Sequence, residues 1–458
     1  MLLNKIQGAY RFLYFLFFLF IALFGRSFTG VYLFGFRIGE LMIGSAALLS
    51  FVFLIFAKKD NRYFSIDPRS FYLHKVIILS FFLTLFLSNG SPFLIYTYKS
   101  SSYIWTLAFI FVGFFAFIDL NEKSIIYKII PYLLPATYIL SNFYYPDFLV
   151  NFFSNYSDKF DYLKASDLLL LYVLTNIYNQ KYFKNIYYHT YYFLISSAVF
   201  IPLFLFKSKG AFLPAILFFI FEFLRLRKPL ILNKLKTILV LLVCVPLFYG
   251  SSYVAGLPVF NNEDAWEEEE TITKIVSSVQ VAAAEKDTTQ LFASLYIYNG
   301  RLYSEEMMAD WRLQIWQDVL SDLFWNAEYG LNEDTTVRYR TPTTRRGDTL
   351  FLTGFGYNGI LEAMNHSNRR GSDMKNENVH NFAVNIMAKG GLIQLLLFLS
   401  FYLAMANKWY KETGNLRLLS FFTFALMTAF FDVAMESVRF PFLFFGAIAL
   451  FFSQEKIK

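Results

Sequence analysis

The stretch NENVHNFAVNIMAKGGLIQLLLFL, residues 376–399, opens on polar residues, sets His380 beside Asn381, and then turns apolar. Histidine is scarce in this chain, four in 458 residues. One of them standing at the mouth of a long apolar segment marks a boundary between water and a medium that excludes it. Composition names that medium. Hydrophobic residues make up 56% of the chain, aromatics 21% and charged residues 16%, against about 25% charged in an average soluble protein. A water-soluble chain of this size needs far more polar surface to cover its core. The expected fold is therefore an all-α, polytopic membrane protein.

Working outward from residue 381, apolar runs of a length suited to a hydrocarbon core ~30 Å thick recur along the chain. They fall near 11–25, 33–56, 72–88, 103–120, 124–141, 166–178, 189–206, 211–224, 236–253, 381–404, 416–432 and 440–453, twelve in all. The first run lacks a small-residue cleavage pattern and Arg26 follows it directly, so it reads as a retained helix and not as a signal peptide. Lys and Arg counted over alternate connections give 21 on the side of both termini and seven on the other, leaving out the one long connection. Basic excess marks the cytoplasmic side, so both termini are expected there. The net charge of +7 follows from this asymmetry and is met by anionic membrane lipids, with no nucleic-acid partner required. Cys244, the single cysteine, excludes an intrachain disulfide and any cysteine-based metal cluster.

Three regions result: nine helices over 1–253, a long extracytoplasmic loop over 254–380, and three helices over 381–458. The loop holds 20 acidic and 11 basic residues, and a loop of this length in a compact protein is functional or disordered. Within it, DWRLQIWQDVLSDLF (310–324) repeats Leu313, Trp316, Leu320 and Leu323 at three- and four-residue spacing, which predicts an amphipathic helix. The acidic run EDAWEEEE (263–270) reads as a solvated segment.

Chemistry has few candidate carriers. His380 is either an interfacial residue anchoring a helix end or a proton acceptor for a substrate hydroxyl, a role imidazole fills near neutral pH. Lys207 and Lys209, in FKSKGAFLPAILFF (206–219), lie on the outer side against the charge trend. A phosphate group would satisfy them, and so would snorkelling to the interface. Arg312, between Trp311 and Trp316, carries the side chain best shaped to grip a phosphate through two hydrogen bonds.

Taken in order, these stretches resemble the O-antigen ligase and polymerase superfamily of bacterial envelope glycosyltransferases. SKGA (208–211) matches a short outer turn between two spans, WRLQIW (311–316) an arginine shortly before a tryptophan in a large loop, and TGFGYNG (353–359) a glycine-rich stretch. His380, Asn381, Gly390 and Gly391 match a histidine–asparagine start of the next span, and ESVRFPFLFFG (436–446) places Glu436 and Arg439 at the outer end of the last. The likeness covers about 190–450 in these motifs and the first half only in helix count. Lys209 stands where the family has arginine, keeping the charge without the planar fork, and a proline–leucine–glycine turn after the loop helix is replaced by FWNAEYGLN (324–332).

The resemblance implies a GT-C-like fold in a bacterial inner membrane, with the large loop periplasmic. It implies transfer of a glycan from an undecaprenyl-diphosphate-linked donor to a hydroxyl of a lipid A core, a growing polysaccharide or a protein, without a metal or other cofactor. No Asp-x-Asp-like pair lies near these positions. His380 would take the acceptor's proton, and Arg312, Lys207, Lys209 and Arg439 would stabilise charge growing on the diphosphate. Asn381, Glu377 and Glu436 would support them, the two glutamates by orienting His380 or pairing with an arginine. Tyr296, Tyr298, Tyr303, Trp311 and Trp316 are candidates for stacking on sugars, with ordinary packing as the competing role. A transporter or flippase for a lipid-linked or anionic substrate is the alternative. It calls for mid-span charges and Gly/Pro-broken helices, whereas the unusual charges here gather at one face and in one loop.

Overall fold

The computed structural model describes residues 2–58, 67–117, 120, 124–142, 146–157, 163–183, 185–256, 295–298, 300–304, 307–325, 327–329, 337–339, 350–364 and 377–455. The acidic run at 263–270, and the sequences TPTTRRGD (341–348) and HSNRRGSD (366–373), lie outside them. Helices dominate: α1 Leu2–Thr29, α2 Ile38–Phe56, α3 Pro68–Leu87, α4 Ile95–Ser100, α5 Ser102–Trp105, α6 Phe109–Phe117 and α7 Ile125–Asn142. There follow α8 Asp147–Tyr156, α9 Ala165–Tyr182, α10 Ile186–Lys207, α11 Lys209–Arg225, α12 Arg227–Leu232 and α13 Lys234–Gly256. The C-terminal part holds α14 Met307–Trp325, α15 Leu350–Thr353, α16 Phe382–Thr413, α17 Arg417–Met427 and α18 Arg439–Glu455. Among the described residues the strands form three two-stranded antiparallel sheets: β1–β2 (Tyr32–Leu33, Phe36–Arg37), β3–β4 (Leu295–Tyr298, Arg301–Ser304) and β5–β6 (Ala327–Tyr329, Val337–Tyr339).

Each of the twelve apolar runs overlaps a described helix. Among the described residues, six helices are long and apolar enough to cross a membrane: Gln7–Thr29, Ile38–Phe56, Pro68–Leu87, Ile186–Lys207, Lys234–Ala255 and Phe382–Thr413. One boundary is corrected. The run begun at residue 33 starts as the hairpin β1–β2, because Phe34 (φ 53°) and Gly35 (φ 83°) turn the chain through the left-handed region. The helix begins only at Ile38. The helix predicted over 310–324 is α14.

The chain divides into two compact units. The first comprises Met1–Ile78, Ser102–Gly256 and Leu399–Lys458. Its helix ends sort into two groups. At one end Val31 bridges Ser157, Ser166 Oγ donates to Asp432, Ser102 Oγ donates to the Glu436 carbonyl, and Gly210 abuts Phe431. At the other, Arg11 Nε donates to the Ala116 carbonyl at 2.7 Å, Lys75 Nζ donates to the carbonyls of Leu54 and Ala57, and Glu222 pairs with Arg225. Between the ends, packing is close. A Cβ on Gly446 would stand 2.5 Å from the Tyr14 hydroxyl, and one on Gly113 2.9 Å from it, so α1, α6 and α18 approach through small residues as membrane helices do.

The second unit comprises Leu79–Ser101 and Leu257–Phe398. Helix α14 organises it. Gln317 both accepts from the Leu302 amide and donates to its carbonyl, each at 2.7 Å, Asp310 accepts from the Ser304 amide, and Arg301 pairs with Asp318 at 2.8 Å. These bonds hold β3–β4 on one side of α14. On another, Ile315 and Val319 enter an apolar cluster with Leu361, Met364, Val379, Val384 and Ala388.

Candidate functional site

Of the residues singled out in the sequence, Arg312, Glu377, His380 and Asn381 belong to the second unit, and Lys207, Lys209, Glu436 and Arg439 to the first.

In the second unit, α14 presents two tryptophans to the start of α16. Trp316 donates its indole N–H to the Val379 carbonyl at 2.7 Å. The ring of Trp311 meets that of His380 edge-on, centroids 5.1 Å apart. Both tryptophans also pack against the apolar cluster, so packing accounts for them without a sugar. Arg312 lies one helical turn from Trp316 on the same helix. Its Nε is buried and has no hydrogen-bond partner among the described residues. His380 itself takes φ 54°, a left-handed conformation that a non-glycine residue adopts at a cost, and such outliers concentrate at functional positions. The next residue explains why the helix starts where it does: Asn381 Oδ1 accepts from the Val384 amide at 3.1 Å, the geometry of an N-cap. Capping therefore belongs to Asn381, and Glu377 pairs with Lys99 at 3.2 Å.

Further along α16 the helix breaks at Gly391 (φ 77°, ψ 178°). In an unbroken helix the carbonyls of Ala388 and Lys389 would accept from residues four further on. Here they accept from the amides of Phe355 (2.7 Å) and Gly356 (3.0 Å), so the glycine-rich stretch 353–359 docks into the break. Irregular backbone at membrane depth survives only where other protein groups satisfy it. A Cβ on Gly391 would stand 2.1 Å from the Leu352 carbonyl oxygen, which gives the Gly390–Gly391 pair a steric reason. Tyr357, fully buried, donates to Gln394, which in turn donates to Ser80.

Lys389 stands at this break. It is 3% exposed, donates to the Gly359 carbonyl at 2.9 Å and lies over the ring of Tyr96. Sequence reasoning missed it, although a lysine inside an apolar run is a signal in itself.

In the first unit, Arg439 Nε donates to Asp167 Oδ2 at 2.5 Å, with side chains 6% and 2% exposed. Asp432 accepts from Ser166 Oγ at 3.0 Å, and Lys164 interacts electrostatically with Arg439, Asp432, Arg26 and Asp167. Burial, then the neighbouring Arg439, lowers the pKa of Lys164 below its ordinary value. The turn 208–210 reaches the same end through Gly210 and Phe431. Of Lys209 only the backbone is described; Lys207 ends α10 beside it, half-buried. The structure thus gathers Arg439 with Arg26 and Lys164, two more basic residues of the minority side, and adds the acids Asp167 and Asp432. Counting only Lys and Arg hid those acids. Arg439 is already engaged by a buried carboxylate, so holding other groups in place suits it better than gripping a diphosphate. Ser102 marks Glu436 at the same end through its backbone carbonyl.

No protein-family model matches the chain, and no curated protein matches it.

Proposed function

We propose that the protein is an integral membrane glycosyltransferase of the O-antigen ligase/polymerase type, with twelve spans, both termini in the cytoplasm and the long loop in the periplasm of a bacterial inner membrane. It transfers a glycan from an undecaprenyl-diphosphate-linked donor to an acceptor hydroxyl. The observation that carries this reading is the seating of His380 on α14: a strained histidine held against Trp311, beside a helix whose Arg312 has a buried Nε with no hydrogen-bond partner among the described residues. The topology draws support from the first unit, where contacts join connections of the same predicted side. In this reading His380 accepts the hydroxyl proton as oxygen attacks the anomeric carbon. Arg312, on the helix that seats His380, stabilises the departing diphosphate.

Transfer by the purified protein in vesicles supplied with lipid-linked oligosaccharide tests the reading. His380→Ala should slow it by ~10²–10⁴-fold, the usual contribution of a positioned general base. Transfer at the normal rate by His380→Ala would falsify the assignment.

A second reading has an observation of its own. Two helices break at glycines beside buried charge, α1 at Gly25 near Asp167 and Arg439, and α16 at Gly391 next to Lys389, as in transporters. Translocation of a fluorescent lipid-linked glycan across vesicles, undiminished in His380→Ala and with no transfer product from the unsubstituted protein, would favour transport.

A further inference from the structure

The hairpin β1–β2 and the short helix α8 meet through the bridge between Val31 and Ser157, and neither is used by the functional readings above. The hairpin turns at Phe34 and Gly35, both with positive φ. Glycine and asparagine are the ordinary residues for such a turn, and phenylalanine takes it only with strain. Phe34 is also 90% exposed. In water both properties count against it; beside an apolar medium the second becomes an advantage.

Helix α8, DFLVNFFSNY, shows the same preference in another form. Successive residues turn by about 100°, which puts Asp147, Asn151, Ser154 and Asn155 on one arc. Phe153 faces inward, 2% exposed. Phe148, Phe152 and Tyr156, four apart, fill the flank between them, and all three are exposed, Phe148 by 71%. A polar arc, an aromatic flank and an inward face are what a helix lying in a membrane surface presents to water, lipid and protein. Position agrees: the hairpin connects Gln7–Thr29 to Ile38–Phe56, two helices fit to cross a membrane.

We infer that β1–β2 and α8 form an interfacial anchor, with Phe34, Phe148, Phe152 and Tyr156 seated at the boundary between headgroups and acyl chains of one leaflet. Lipid is the partner. Gly25 and Arg26 precede the hairpin, and Lys164 and Asp167 follow α8, so the anchor sets the depth at which the ion cluster of Arg26, Lys164, Asp167, Asp432 and Arg439 meets the leaflet. This inference stands without the transferase reading.

The lone Cys244 makes the test direct. In a Cys244→Ala background, single cysteines at Phe34, Phe152 and Asn151 are spin-labelled in the full chain. The protein is reconstituted in vesicles of phosphatidylethanolamine and phosphatidylglycerol. Collisions with oxygen, which concentrates in acyl chains, are compared with collisions with a water-soluble nickel chelate. Labels at 34 and 152 should favour oxygen several-fold over the label at 151, which lies on the polar arc of the same helix. All three favouring nickel alike would place the anchor in water and overturn the inference. Spin–spin broadening at 34 that disappears on dilution with unlabelled protein would overturn it too, since a second copy would then cover the face.

Discussion

Two helices of this protein break at a glycine with positive φ, and the neighbours of the two breaks differ in kind. At Gly25 a Cβ would meet side chains: Leu163 Cδ2 at 2.9 Å, Asp167 Oδ2 at 3.8 Å and Arg439 Cδ at 4.0 Å. At Gly391 it would meet backbone, the Leu352 carbonyl oxygen at 2.1 Å and the Thr353 nitrogen at 2.4 Å. The first break is bordered by an ion pair whose members are 272 residues apart; the second is filled by a peptide segment that takes over the helix's own hydrogen bonds. A break among side chains stays adjustable, because side chains can rotate away. A break filled by backbone is fixed by the geometry of two segments at once. One break is bordered by a charged pair, the other closed by backbone amides.

The largest effect is expected at the charged break. Asp167→Leu leaves the Arg439 guanidinium buried without its carboxylate, and breaking a buried pair costs ~3–5 kcal/mol. The thermal midpoint in detergent should fall steeply, and Asp167→Leu combined with Arg439→Met should regain most of the loss, because an apolar pair leaves no uncompensated charge. A double variant as unstable as the single one would mean that the pair is not the stabilising element there.

Next comes Gly391→Ala. The backbone at Gly391, φ 77° and ψ 178°, is one that glycine adopts readily and that costs alanine ~1–3 kcal/mol, and overpacking adds ~1–3 kcal/mol because the opposing atoms are backbone. Gly25, at φ 49° and ψ −117°, carries a backbone penalty of the same order, but a Cβ there first meets the end of a leucine side chain, so the loss in Gly25→Ala should stay near ~1–3 kcal/mol. Thermal midpoints of the two variants side by side decide the comparison. Equal losses would sink the distinction between a side-chain break and a backbone break.

Much of the fold could be read from the chain because hydrophobic run length and helical periodicity are local properties. The twelve apolar runs and the helix around Trp311 and Trp316 needed no knowledge of partners. The hairpin at 32–37 was hidden by Phe34 and Phe36, whose apolarity extends the run that follows and masks the turn. The glycines of 353–359 and 390–391 stand out as a pattern, but their mutual docking depends on contacts that no spacing encodes. Asp167 and Asp432 escaped for a simpler reason: their meaning lies in Arg439 and Ser166, far along the chain. His380 was legible as a boundary residue, whereas its seat against Trp311 and the capping role of its neighbour Asn381 belong to tertiary structure.

The smallest predicted effect concerns what holds the mouth of the broken helix. Trp316→Phe keeps most of the ring packing and removes only the indole N–H, which leaves the fully buried Val379 carbonyl without that donor. The loss should be ~1 kcal/mol, the ordinary net worth of one hydrogen bond. Its location matters more than its size. Val379 immediately precedes His380, so hydrogen exchange of the backbone amides over 378–381 should quicken in Trp316→Phe, while amides of 355 and 356, which bond into the break at Gly391, keep their protection. Faster exchange at both places would mean that the two ends of this part of α16 open as one unit, and the break would then owe its rigidity to α14 as well as to its own docked segment.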